Sequence, residues 1–97
     1  MNTKQDLTRL VQETRNEVEN LKPNNVSEWL ENQPNVEAVI TTPAGNWLGA
    51  EVLTAGGAPT VMVNTRQKTV TGTWGGNEIT FSFRTSVLDD YLKELYG

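Results

Sequence analysis

The feature that most constrains the fold of this chain is the alternation of apolar and polar residues between positions 60 and 84. Apolar or aromatic residues occupy alternate positions of three short segments, and mostly polar residues fill the positions between them. Successive side chains of a β-strand point to opposite faces, so this pattern predicts three strands with one buried face and one face in water. The residues predicted to point inward are Val61, Val63, Val70, Trp74, Ile79, Phe81 and Phe83.

Two further strands are predicted before these three. Short polar or glycine-containing turns separate all five segments, which is typical of an antiparallel β-meander. The predicted strands are residues 36–41, 47–53, 60–64, 69–74 and 78–84.

Residues 1–22 carry a stripe of mainly apolar side chains at spacings of three and four, which predicts an amphipathic helix. Thr3 is its predicted cap, and Pro23 ends it. Two interpretations of this helix stay open: it docks on its own domain, or it is an interaction arm that binds a partner. The stripe consists of Leu7, Leu10, Val11, Thr14, Val18 and Leu21.

Two more helices are predicted. The first covers residues 26–32, with Asn25 as its N-cap. The last follows Ser86, which stands three residues before Asp89 in the spacing of a capping box. Because only helices are available to cover the buried face, we expect an α+β fold. Residues 1–97 are predicted to form a single small domain, an antiparallel β-meander of four to five strands with the N-terminal helices and a C-terminal helix packed on one face.

The chain contains no histidine and no cysteine. A Ser-His-Asp triad, a Cys-His pair and a zinc site with imidazole or thiolate ligands therefore cannot form from this chain alone. We predict no enzymatic activity, no catalytic, cofactor-binding or metal-binding residues, and no cofactor. A carboxylate-dependent enzyme is the enzymatic alternative, since the chain has 12 Asp and Glu residues.

The net charge of −4 disfavours nonspecific attraction to nucleic acid or to an anionic membrane. No apolar run approaches the ~20 residues that a membrane-spanning helix needs. The absence of cysteine suits a reducing compartment. We therefore predict a cytoplasmic protein that does not bind membranes.

The polar face of the predicted sheet and one hairpin form the candidate partner-binding surface. Thr69, Thr71 and Thr73 make a row along one strand, and a surface without charge is cheaper to desolvate than a charged one. Cations flank this row in the 64–69 hairpin and at the end of the last strand. The candidate partner-binding residues are Arg66, Lys68, Thr69, Thr71, Thr73 and Arg84.

We expect a non-enzymatic protein–protein interaction module whose partner is another protein. By analogy, a small acidic domain of this kind suits an inhibitor or adaptor of a phage or mobile element. The first alternative is a small nucleic-acid-binding regulator that uses the 64–69 hairpin and the adjacent sheet face. A homodimer through the first helix or an edge strand is compatible with each hypothesis.

Overall fold

The computed structural model describes residues 3–97, apart from the side chains of Thr3 and Glu37. In this part of the chain, helices and strands follow one another in the predicted order, which confirms the α+β class and the antiparallel meander. The elements are α1 (Thr3–Glu19), α2 (Val26–Glu31), β1 (Asn35–Thr41), β2 (Trp47–Ala55), β3 (Thr60–Asn64), β4 (Thr69–Trp74), β5 (Asn77–Ser82) and α3 (Val87–Tyr96).

The five strands form one sheet in the order β1-β2-β3-β4-β5, and each pairs antiparallel with its neighbours. The register aligns Val52, Val63, Val70 and Phe81 in one row from β2 to β5. The three valines are fully buried and Phe81 is half-buried, so this row lies on the core face. Trp74 is half-buried against the same core, and the predicted inward face is confirmed.

The helices cover the core face in two places. α1 lies on β4 and β5, and its buried residues include Leu7, Val11 and Val18. α3 lies on β2 with Leu88 and Leu92 fully buried, and α2 packs against α3. The apolar stripe of α1 is therefore docked on the sheet of its own chain, which is the first of the two interpretations given above.

Gly72, in the middle of β4, allows α1 to approach the sheet closely. A β-carbon at this position would overlap Val11 Cγ2 and would lie 2.9 Å from Leu7 Cδ1. Both of those side chains are fully buried. Glycine is the residue that permits such an approach, because it has no β-carbon.

Asn25 and Ser86 stand at the N-cap positions of α2 and α3, as predicted, but neither side chain makes a capping hydrogen bond. Ser86 precedes α3 but makes no capping hydrogen bond, and its hydroxyl donates instead to Asp90 Oδ2 at 3.4 Å. The side-chain oxygen of Asn25 accepts the Lys22 N–H at 2.9 Å and bonds to no N–H of α2. The side chain of Thr3, the predicted cap of α1, lies outside the described residues.

We expect Gly72→Ala to lower the free energy of unfolding by about 1–3 kcal/mol, because the new methyl group forces Val11 and Leu7 away from the sheet. Urea denaturation followed by circular dichroism measures this loss. Thr73→Ala, on the exposed side of the same strand, is the matched control and should cost about 1 kcal/mol or less. Equal losses in the two variants would contradict the close approach of α1.

Candidate interaction surface

The face of the sheet opposite the helices is here called the open face. In its central row, Leu53 and Met62 lie beside Thr71 and Thr80 in the register of β2 to β5. Leu53 and Met62 are only half-buried, although both are apolar. The open face consists of the outward side chains of Glu51, Leu53, Thr60, Met62, Asn64, Thr69, Thr71, Thr73, Glu78, Thr80 and Ser82.

The three predicted threonines of β4 lie in a line on the open face. Thr69 pairs with Ser82 of β5, and Thr71 pairs with Thr80, with 3.0 Å between the two hydroxyl oxygens. Thr73 is exposed near the opposite end of the strand. One hydroxyl of the central pair donates to the other, so each of the two has a partner within the sheet.

Two of the three predicted cations, Lys68 and Arg84, lie side by side at the Thr69 end of the open face, and Arg66 lies in the same hairpin against β2. Lys68 Nζ donates a hydrogen bond to the Arg84 carbonyl oxygen at 3.0 Å, which fixes these two residues beside each other. Arg66 is exposed in the same hairpin, and its backbone lies against Gly49 of β2. All six candidate residues thus occupy one face of the sheet and the loops at its end.

A buried threonine anchors the hairpin that carries Arg66 and Lys68. Thr65 Oγ1 accepts the Ala50 N–H at 2.8 Å and donates to Asp89 Oδ1 at 2.7 Å. The same carboxylate oxygen of Asp89 accepts the Trp47 indole N–H at 3.1 Å. Asp89 therefore links the first turn of α3 to the hairpin, and it is not free to form a capping box.

Leu53 and Met62 lie on the open face but are not among the partner-binding residues predicted from the sequence. Met62 occupies the position between Val61 and Val63, so the alternation that placed Thr60 and Asn64 on the outer face also places Met62 there. Leu53 follows the same rule from Glu51. The alternation therefore indicates these two apolar residues on the outer face as well as the hydroxyl groups.

Glu19, at the end of α1, holds the segment that carries Arg84. Its carboxylate accepts the Thr85 N–H at 2.9 Å and the Arg84 N–H at 3.1 Å. These bonds favour the ionised form, so the pKa of Glu19 lies below its ordinary value of about 4.5. The Thr85 N–H is the largest cause; partial burial opposes the shift, and the Arg84 N–H and the charges of Arg15 and Arg84 reinforce it.

The described residues bring no three Asp or Glu side chains together in a group that could hold a metal ion. A shallow cavity of about 390 Å³ lies between the β2–β3 and β4–β5 turns and is lined by Thr73, Trp74 and Glu78, among others. Among the residues that the structure describes, Glu78 is the only carboxylate that lines it, whereas acid and base catalysis of the glycosidase type needs two facing carboxylates. This cavity therefore offers no support to the carboxylate-enzyme alternative.

Within residues 3–97, no helix combines the length and the apolar character that crossing a membrane requires. Comparison with protein-family models, with curated proteins and with solved structures found no match.

We expect Glu19→Gln to destabilise the protein at neutral pH and to have little effect in acid. The folded state holds the pKa of Glu19 below that of the unfolded chain, so the unfolded chain binds more protons as the pH falls. The stabilisation by Glu19 is therefore complete well above pH 4.5 and is lost as the pH falls through the lowered pKa. Chemical denaturation of both proteins between pH 7 and pH 3 measures the difference.

Glu17→Gln is the matched control for this measurement, because Glu17 is an exposed carboxylate of the same helix. Its effect on the free energy of unfolding at pH 7 should be smaller than that of Glu19→Gln, because the Arg84 and Thr85 N–H groups donate to Glu19. If the free energy of unfolding of both variants follows the same pH dependence, the hydrogen bonds from the Arg84 and Thr85 N–H groups to the Glu19 carboxylate do not stabilise this end of the sheet.

Proposed function

We propose that this protein is a non-enzymatic interaction module that binds another protein through its open face. The observation that carries the proposal is the central row of that face. Leu53 and Met62 lie half-buried there, next to the uncharged pair Thr71 and Thr80, on the side of the sheet that the helices do not cover.

The arrangement resembles the anatomy of protein–protein interfaces, in which an apolar centre is surrounded by a polar rim. Leu53 and Met62 supply the apolar centre, and methionine adapts its shape to irregular partners. Glu51, Glu78 and the cations at the Thr69 end supply charges at the periphery. A partner that covers the centre therefore gains apolar burial without desolvating a charge there.

Within this class we propose an inhibitor or adaptor, of the kind that a phage or mobile element carries. Such a protein acts by occupying a surface, so it needs none of the catalytic groups that the composition excludes. The absence of cysteine supports a reducing compartment, and we place this activity in the cytoplasm on that ground.

We expect Thr71→Lys to weaken binding to the partner by about tenfold or more, because it places a charge in the centre of the contact. Crosslinking and affinity capture from host lysates supply a candidate partner. Calorimetric titration of that purified partner then measures the wild type, Thr71→Lys and the control Gln12→Lys, which adds the same charge on an exposed position of α1.

The control should bind within about twofold of the wild type. Two results would overturn the proposal. One is a purified partner that binds Thr71→Lys as tightly as the wild type. The other is the absence of any saturable partner together with measurable turnover of a substrate.

A nucleic-acid-binding regulator is the second candidate, and the pairing of Lys68 with Arg84 beside the hairpin that carries Arg66 favours it. Two or three phosphate contacts predict an affinity whose logarithm falls with the logarithm of salt concentration with a slope of about −2 to −3. For this candidate we expect Arg66→Ala with Arg84→Ala to abolish a gel shift with duplex or single-stranded DNA at low salt. A wild-type protein that shifts neither probe at low salt excludes it.

A further inference from the structure

β1 is an outer strand of the sheet and pairs with β2 on one side. Ala50 of β2 lies directly opposite Val39 and reveals how this edge is oriented. The Ala50 carbonyl accepts the Thr65 N–H at 2.9 Å, and the Ala50 N–H donates to Thr65 Oγ1 at 2.8 Å. Both backbone groups of Ala50 therefore point toward the β3–β4 hairpin and away from β1.

Val39 and Thr41 consequently present their backbone groups to the free edge. Opposite residues of an antiparallel pair alternate between hydrogen-bonded and non-hydrogen-bonded positions. Since Ala50 is turned away, Val39 occupies a non-hydrogen-bonded position, and its N–H and C=O point outward. The Thr42 N–H points inward, to the Asn46 carbonyl at 2.9 Å, so the groups of the preceding Thr41 also point outward.

We propose that this edge pairs with β1 of a second copy of the chain, antiparallel about a two-fold axis through Ile40. In this register, Val39 of each copy lies opposite Thr41 of the other. Four hydrogen bonds form between the copies, because each of the two residues donates once in each chain. The proposal does not depend on the function proposed for the open face.

The side chains of this segment suit a second copy of the same segment. Residues 38–42 carry no charge, so the pairing places no like charges opposite each other despite the net charge of the chain. Val39 has 39% of its surface exposed, and the two Ile40 side chains meet across the axis. The outward backbone groups of Val39 and Thr41, which are two residues apart, form a self-complementary set of donors and acceptors. A two-fold contact requires such self-complementarity.

The central part of this edge, residues 38–42, lacks the usual protection against pairing. Of the two register shifts between β1 and β2, one places its extra residue in β1 between Val36 and Ala38, before this segment, and the other places its extra residue in β2. Natural edge strands carry lysine, proline or inward-pointing charges that discourage contact with another strand. Residues 38–42 contain none of these, and Pro43 stands just beyond them. The two-fold axis is perpendicular to the sheet, so the two five-stranded sheets join into one layer with both open faces on the same side.

Amide hydrogen exchange of the wild-type protein at micromolar and millimolar concentrations tests the register directly. The amides of Val39 and Thr41 should become more protected as the concentration rises. The amide of Thr42 should be protected at both concentrations, because it already bonds to Asn46. Exchange at Val39 and Thr41 that does not change while the protein dimerises would place the contact elsewhere and would overturn the proposal.

Val39→Pro removes one outward N–H from each copy without removing a bond to β2, and proline is tolerated on the free side of edge strands. We expect sedimentation to show a dimer dissociation constant at least tenfold higher for Val39→Pro than for the wild type. The control Val39→Thr keeps the N–H, and its dissociation constant should be close to that of the wild type. Thermal unfolding establishes that both variants fold. A wild type that stays monomeric at millimolar concentration, or that takes up an added β1 peptide without dimerising, would contradict pairing with a second copy.

Discussion

The packing of α1 against β4 is the interaction on which the rest of this structure depends. Gly72 lets Leu7 and Val11 reach the sheet, and the burial of these side chains determines which face is the core. Once that face is covered, every residue of the opposite parity is directed outward, including Thr69, Thr71 and the half-buried Met62. The open face is thus the side of the sheet that α1, together with α3, leaves uncovered.

Much of this fold could be predicted from the sequence, because it depends on periodicity. The alternation from Val61 to Phe83 determines strand positions and the buried face, and a one-residue shift of register would expose the inward-pointing apolar side chains, including Phe81 and Phe83. The ends of the helices were harder to predict. Ser86 and Asn25 have the right residue types and spacing for caps, but their side chains have other partners. Local patterns identify candidates for a cap, whereas tertiary contacts decide between them.

The candidate surface was predictable to a smaller degree. The line of threonines followed from parity, but the proximity of Lys68 to Arg84 depends on a hydrogen bond between residues 16 apart. Two hydrogen-bonded contacts join distant parts of the chain. Asp89 accepts the Thr65 hydroxyl, and the Glu19 carboxylate accepts N–H groups of residues 84 and 85. No local pattern in the sequence indicates such contacts, since they arise only when α1 and α3 lie on the sheet. The sequence therefore indicates which side chains share a face, and the packing of the helices determines how that face is held.

The accessibility of the open face is the central claim, and solvent paramagnetic relaxation of methyl groups measures it most directly. A soluble paramagnetic agent should strongly broaden the methyl signals of Met62, Leu53 and Thr71 in the free protein at low concentration. The methyl signals of Val63, Val70 and Leu88 should remain sharp, because these side chains are fully buried. Equal protection of Met62 and Val63, or broadening of Val63 and Val70, would show that the two faces have been assigned wrongly.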